Sequence, residues 1–406
     1  MKTVVTVSFL ALVPIVYFGS THIYNTSYYS PATSTPPSAD TTADVLPNRE
    51  VVKATHIKTP ERVKAIYMTA CVAATPSLRE KLLKIADETE VNSIVIDIKD
   101  YSGTISFEPE NSILKENKGT GCRTKDMREF IEKLHQHGVY VIGRITVFQD
   151  PYYTKKRPDL AVRKLSDGGV WKDYKGLAFI DGGAREYWDY IVALSKDSYV
   201  AGFDELNFDY IRFPSDGNMK DIDFSWSKGK TKADALEYFF AYLHDALKNT
   251  GAVISADLFG MTTTNTDDLN IGQVLERALP YFDYIAPMVY PSHYPPNFNG
   301  WKNPNHYPYE LIKFVMEEGA RRVQATTTSV YHFGAERIGT TTPALYTKKA
   351  YDKNKLRPWL QDFDYGGNYG EAEVRAQIQA TYDAGLTSWM LWDPGNKYTT
   401  EAINKE

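Results

Sequence analysis

The sequence predicts a (β/α)8 barrel of the TIM type, preceded by an N-terminal signal or anchor segment and a flexible linker. Three observations carry that reading. Near-continuous apolar strands alternate with helical patterns along the folded part, which argues for a parallel sheet covered on its outer face. There are eight such alternations, the number that closes a barrel. The signatures of an open nucleotide-binding sheet or an α/β-hydrolase are missing. Gly119-Thr120-Gly121 follows no strand and lacks a Gly-Lys-Ser/Thr ending, and no Gly-x-Ser-x-Gly elbow occurs.

The chain opens with Lys2 and an apolar run from Val4 to Phe18. The run is short for a spanning helix and suits the core of a secretory signal, so residues 1–21 are read as a signal peptide or a retained membrane anchor. Ser27 to Ala43 is rich in Ser, Thr, Pro and Ala. Such a stretch buries too little apolar surface to order itself, and residues 22–60 are assigned to a linker. The barrel domain takes 61–406.

Its first strand is Val63–Ala70, followed by a helix from Ser77, expected as the N-cap. Ser93–Ile98 is the second strand, and Thr124–His137 a helix with Met127, Phe130, Ile131 and Leu134 on one face, stopped by Gly138. The third, fourth, fifth and sixth strands are Val139–Phe148, Gly202–Ile211, Val253–Phe259 and Tyr284–Tyr290. Between and after them the helices are 184–198, 232–248, 272–281 and 307–318. The seventh strand is placed at Leu356–Asp362, with Val323–Phe333 as its competitor or as an inserted hairpin. Helix 371–384 and the strand Thr387–Leu391 complete the series, leaving at most a few residues for a last helix.

With 46 Lys and Arg against 51 Asp and Glu, the chain lacks the basic excess of a nucleic-acid binder. Two cysteines, Cys71 and Cys122, follow strands at the same end of the fold; the sequence leaves open whether they are bridged, and they resemble no zinc site.

A barrel builds its site at the C-terminal ends of its strands, so late carboxylates are the informative residues. They are abundant: Asp97 and Asp100, the run Asp204-Glu205-Leu206-Asn207-Phe208-Asp209, Asp257, and Asp393. In the fourth strand Glu205, Asn207 and Asp209 share one face and Leu206 and Phe208 the other. The apolar face must meet the helices, so the polar triplet is expected inside the barrel, either as a site or as a buried network with Arg144 and Arg212.

The runs DIKDYSG (97–103), GRITVFQD (143–150), GFDELNFDYIRFPSDG (202–217), SADLFG (255–260), APMVYPSHY (286–294), RPWLQDF (357–363) and SWMLWDPGN (388–396) resemble the DUF4015 family of glycoside hydrolase-like barrels. The resemblance spans about Val63 to Asn396. It implies a TIM-type barrel, exported or associated with the envelope, that cleaves glycosidic bonds. The connection between His306 and Arg357 is longer than the family's usual one.

Glycoside hydrolysis needs two carboxyl groups, one protonated and one ionised. By similarity to other barrels, Asp209 is the nucleophile or base. Asp257 is the acid, with Leu258 and Phe259 expected to desolvate it, and Glu205 is the runner-up for either role. Arg144 and Arg212 are expected to hold carboxylates ionised or to grip an acidic sugar. Lys99, by parity, either pairs with Asp97 or touches substrate. Tyr290, His293, Trp359 and Trp392 are candidates for sugar contact or core packing, and Gln361, Asp362 and Asp393 for bonding to sugar hydroxyls, with Asp362 equally suited to capping a loop. The expected partner is a polysaccharide or oligosaccharide, with no cofactor and no metal. Two other readings stand beside this one: a glycan-binding barrel without turnover, and a metal-dependent deacetylase using Asp97, Asp257 and His293.

Overall fold

The computed structural model describes residues 54–405. The expected signal or anchor segment and the Ser/Thr/Pro-rich stretch lie outside the described residues. No helix among the described residues is long and apolar enough to cross a membrane.

Among the described residues eleven strands occur in chain order: β1 (Lys64–Met68), β2 (Ser93–Lys99), β3 (Tyr140–Thr146), β4 (Glu205–Asp209), β5 (Val253–Phe259), β6 (Tyr284–Met288), β7 (Thr327–Thr328), β8 (Arg337–Ile338), β9 (Leu345–Thr347), β10 (Trp359–Gln361) and β11 (Trp389–Trp392). Eight of them close a parallel barrel in the order β1-β11-β10-β6-β5-β4-β3-β2. The seventh barrel strand is therefore β10, inside the 356–362 segment. Of its competitor region, 323–333, only β7 is strand, and it joins β8 and β9 further along in a separate antiparallel sheet with β9 in the middle.

The helices cover the barrel in the expected places: Pro76–Glu88, Met127–Gln136, Arg185–Ala201, Lys232–Leu247, Leu275–Ala278, Pro308–Gln324 and Glu371–Asp383. Ser77 is not an N-cap. Pro76 takes the first helical position, where its missing N–H costs nothing, and Thr75 precedes it. The last helix reduces to a single 3-10 turn, Thr400–Ala402.

Two cores result from strand parity. Leu206 and Phe208 join Ile94, Ile96, Ile98 and the inner faces of the helices. A smaller cluster fills the lumen with Ala65, Val95, Tyr140, Ile142, Ala286 and Met390. Contact between the second and third strands is close enough to demand glycine: a Cβ on Gly143 would lie 2.1 Å from Ile98 Cδ1 and 2.8 Å from Phe203.

The end of the expected linker, residues 54–60, is instead docked on the barrel. The Ile57 N–H donates to Asp204 Oδ1 at 2.9 Å, Thr59 Oγ1 meets the Tyr140 hydroxyl at 3.0 Å, and the His56 ring stacks on Tyr199 at 4.0 Å. Ile57 adds apolar surface to the lumen cluster, which explains why a polar-looking segment is ordered here.

Cys71 and Cys122 form a disulfide with their Cα atoms 4.9 Å apart, closing 51 residues of chain between the turn after β1 and the loop after β2. A Cys71→Ser, Cys122→Ser double variant is expected to lose about 2–4 kcal/mol of stability, chiefly by releasing loop entropy to the unfolded chain. Urea unfolding of parent and variant, with and without reductant, measures it; reductant should lower the parent to the variant's midpoint.

Candidate active site

Adjacent strands bring four charged side chains together in the upper lumen. Register sets Asp97 beside Arg144, Arg144 beside Asn207, and Asn207 beside Ser255, with Asp209 and Asp257 one step nearer the mouth on their strands. Arg144 is the hub. Its Nη1 donates to Asp97 Oδ1 at 2.7 Å, its Nε to Asp209 Oδ2 at 3.1 Å, and its Nη2 also to Asp209. The same Nε lies 3.9 Å from Asp257 Oδ2. The facing oxygens of Asp209 and Asp257 are therefore closer than 7.0 Å, the sum of their distances to that nitrogen.

The two carboxyl groups differ in their surroundings. Asp209 receives two guanidinium N–H groups and the Tyr210 backbone N–H at 2.6 Å. Asp257 accepts from Asn207 Nδ2 at 2.9 Å and from the Trp359 indole at 2.8 Å, but has no ion pair as close as that of Asp209. Burial, and then the negative charge of Asp209, push Asp257 well above the ordinary carboxyl range. The desolvation does not come from Leu258, which faces the helices. Asp97 is also raised by burial, against the pull of Arg144.

Tyr210, directly after Asp209, has φ of 51°, a region bulky residues avoid. Strain of this kind persists where surrounding structure over-determines it, and such places concentrate at functional sites. Tyr290, buried just after β6, feels the pair: burial first, then the charges of Asp257 and Asp209, push its phenol well above the ordinary range.

Several expected site residues are placed elsewhere. Glu205 lies at the closed lower end of the lumen, paired with Arg357 at 2.7 Å and accepting from Tyr140 at 3.1 Å, so it is a structural ion pair. Lys99 does not pair with Asp97. A bulge between Asp97 and Lys99 shifts the register, so that Lys99 faces outward to Asp150 at 2.9 Å. Arg212 pairs with no carboxylate among the described residues. Gln361 spends its amide on Ser292 and the Phe363 carbonyl. Asp362 accepts from Thr399, and Asp393 from the Gly395 and Lys397 N–H groups, so both fasten the C-terminal segment. Trp359 is 1% exposed and serves as a donor to Asp257, too buried to stack on a sugar.

Trp392 is half-buried, stacked on Tyr67 at 3.9 Å, with Arg144 5.0 Å from its ring. His293 sits on the turn Pro291–His293, bonded to Ser292 Oγ at 2.9 Å. Its ring reaches solvent, yet the surrounding protein and, secondarily, the Lys175 ammonium hold the imidazole down to about 4. Asp97, Asp257 and His293 do not gather into a ligand set among the described residues. Asp97 and Asp257 instead meet at the Arg144 cation.

Sequence reasoning missed Tyr67. Its hydroxyl donates to Asp97 Oδ2 at 2.5 Å, and its carbonyl accepts from Asn396 at 3.0 Å, tying β1 to the segment after β11. Its inward parity with Ala65 was the available signal.

The DUF4015 family model, described as "Putative glycosyl hydrolase domain", matches residues 65–398. No curated protein sequence matches the chain. Among solved structures, the PgaB (BpsB) glycoside hydrolase domain from Bordetella bronchiseptica superposes with a TM-score of 0.57 at 14% identity, covering 84% of this chain and 99% of that one. Alpha-L-fucosidase isoenzyme 2 from Paenibacillus thiaminolyticus gives 0.52 at 12% identity, over 84% and 48%. A hypothetical protein from Ruminiclostridium thermocellum is 29% identical over 51% of this chain and 98% of its own, with a TM-score of 0.43.

Proposed function

We propose, from the premise that this chain belongs to the DUF4015 family of glycosyl hydrolase domains, that it hydrolyses O-glycosidic bonds of an extracytoplasmic polysaccharide, with Asp257 as general acid and Asp209 as nucleophile or base. The observation that carries the assignment is the unequal grip of Arg144: bonded to Asp209 through two nitrogens, 3.9 Å from Asp257. Two carboxyl groups within 7.0 Å, one charge-paired and one pushed towards protonation by burial, meet the division of labour that glycoside cleavage requires.

In the first step Asp257 passes its proton to the leaving glycosidic oxygen. Asp209, on the adjacent strand, supplies the negative charge facing the oxocarbenium-like carbon, directly or through water. Arg144 pairs with Asp209 and orients it; Asn207 and Trp359 fix the Asp257 carboxyl and then favour the carboxylate left after proton transfer. The disulfide supports an oxidising, extracytoplasmic location.

The test is reducing-end release from defined polysaccharides by the parent, Asp209→Asn and Asp257→Asn. Equal cleavage by all three would overturn the assignment. A second measurement probes the acid. Trp359→Phe removes a hydrogen bond that favours ionised Asp257, so the alkaline limb of the kcat profile is expected to move to higher pH. An unmoved limb would mean that another group donates the proton.

A further inference from the structure

Arg212, just past the β4 end, is left unused by the catalytic arrangement. Its guanidinium lies 5.0 Å from the Tyr210 ring centre and 4.9 Å from that of Phe259, within cation–π range of both. Its polar contacts are weak: Nη1 reaches the Phe213 carbonyl at 3.2 Å and Ser215 Oγ at 3.4 Å, and no carboxylate pairs with it among the described residues. The side chain is half-exposed, as is the Phe259 ring beneath it.

Its position along the barrel is fixed by Phe259. That residue shares the inward face of β5 with Asp257, two positions further on, which is about 7 Å nearer the mouth. The guanidinium therefore stands roughly one sugar unit above the cleavage pair. A second cation, Lys175, lies near enough to His293, on the turn after β6, to act on it electrostatically. Asp362, Asp364 and Asp393, after β10 and β11 across the ring, are spent on hydrogen bonds to the chain, and Asp173, whose charge reaches Tyr210, accepts from the Lys175 and Leu177 N–H groups.

A guanidinium within cation–π range of two rings, with its N–H groups short of acceptors, suits a planar carboxylate. Resting on the glycosidase reading above, we infer that Arg212 forms a subsite for the carboxylate of a uronic-acid residue next to the scissile bond, so that the substrate class is an acidic glycan.

The probes are oligogalacturonate and oligoglucuronate, each beside its carboxyl-reduced form, in which only the carboxylate has become a primary alcohol. Binding to the whole protein is measured by calorimetry for the parent, Arg212→Gln and Arg212→Lys, with dextran sulfate as a competing polyanion. The parent is expected to bind at least one acidic form about tenfold or more tighter than its reduced partner, the worth of a charge-assisted bond. Arg212→Gln should erase that ratio without weakening the reduced form, Arg212→Lys should keep part of it, and all three proteins should melt alike.

Equal binding of acidic and reduced forms, no binding of either, an unchanged ratio in Arg212→Gln, or displacement by dextran sulfate as effective as by the uronates would each overturn the subsite. The outcome separates from the catalytic assignment. If Asp209→Asn and Asp257→Asn are inactive while the ratio is untouched in Arg212→Gln, this inference alone fails. If the ratio depends on Arg212 but both Asn variants still cleave, the assignment of the acid and the nucleophile fails.

Discussion

Asp257→Asn is expected to lower kcat by about 10²–10⁴-fold, the usual worth of a positioned general acid, while leaving substrate binding within a few-fold of the parent. The amide is isosteric and its Oδ1 still accepts from Asn207 and Trp359, so the lumen keeps its packing. Activity should return in part with substrates whose leaving group needs no proton, such as nitrophenyl glycosides, whereas Asp209→Asn should not be rescued in that way. Stability supplies a second readout with a definite sign. Asp257 titrates higher in the fold than in the unfolded chain, so its contribution is fully present below the ordinary carboxyl pKa and is lost as pH rises through the raised value. The Asn variant lacks that loss. Its melting temperature relative to the parent should therefore climb from acid to neutral and alkaline buffer. A difference independent of pH would contradict the raised pKa.

Arg144→Met should be the most damaging change to the site as a whole. The guanidinium is buried against Asp97 and Asp209 and lies near Asp257, so its removal strands negative charge in the lumen. Breaking a buried pair from one side typically costs about 3–5 kcal/mol, and here more than one carboxylate is abandoned. The cost should shrink as pH falls, because the stranded carboxyl groups take up protons instead of remaining charged. Denaturant unfolding at pH 4 and pH 7 checks this; an equal loss at both would mean that packing against Trp392 and Tyr67, not charge, is what Arg144 contributes. Activity should be absent even where the fold survives, since Asp209 would lose the guanidinium that pairs with it and orients it.

Most of the architecture was legible because parity and apolar runs state it directly. The alternation Glu205, Leu206, Asn207, Phe208, Asp209 tells which side chains enter the lumen, and the structure places them so. Parity failed at Lys99, where an extra residue in β2 resets the alternation and nothing in the local sequence announces it. Depth was legible, since Glu205 precedes Asp209 on the strand, but the partner of Glu205 was not: Arg357, 152 positions along the chain, makes it an ion pair of the closed end. The polar residues after β10 and β11 misled for a related reason. Asp362 and Asp393 sit where barrel sites are built, but their partners are backbone N–H groups of a C-terminal segment that no strand or helix pattern reveals. The disulfide was undecidable from spacing, because it depends on how two loops approach in space.

The bulge in β2 makes that strand a junction between two electrostatic compartments. With one additional residue, consecutive acidic and basic side chains of the same strand are sent to opposite walls: Asp97 to the guanidinium inside, Lys99 to Asp150 under the helical coat. Without the bulge, regular alternation would return Lys99 to the face of Asp97 and deliver an ammonium into the lumen next to Arg144. The reaction centre and the outer shell would then fail together, so chemistry and architecture here share a single point of vulnerability.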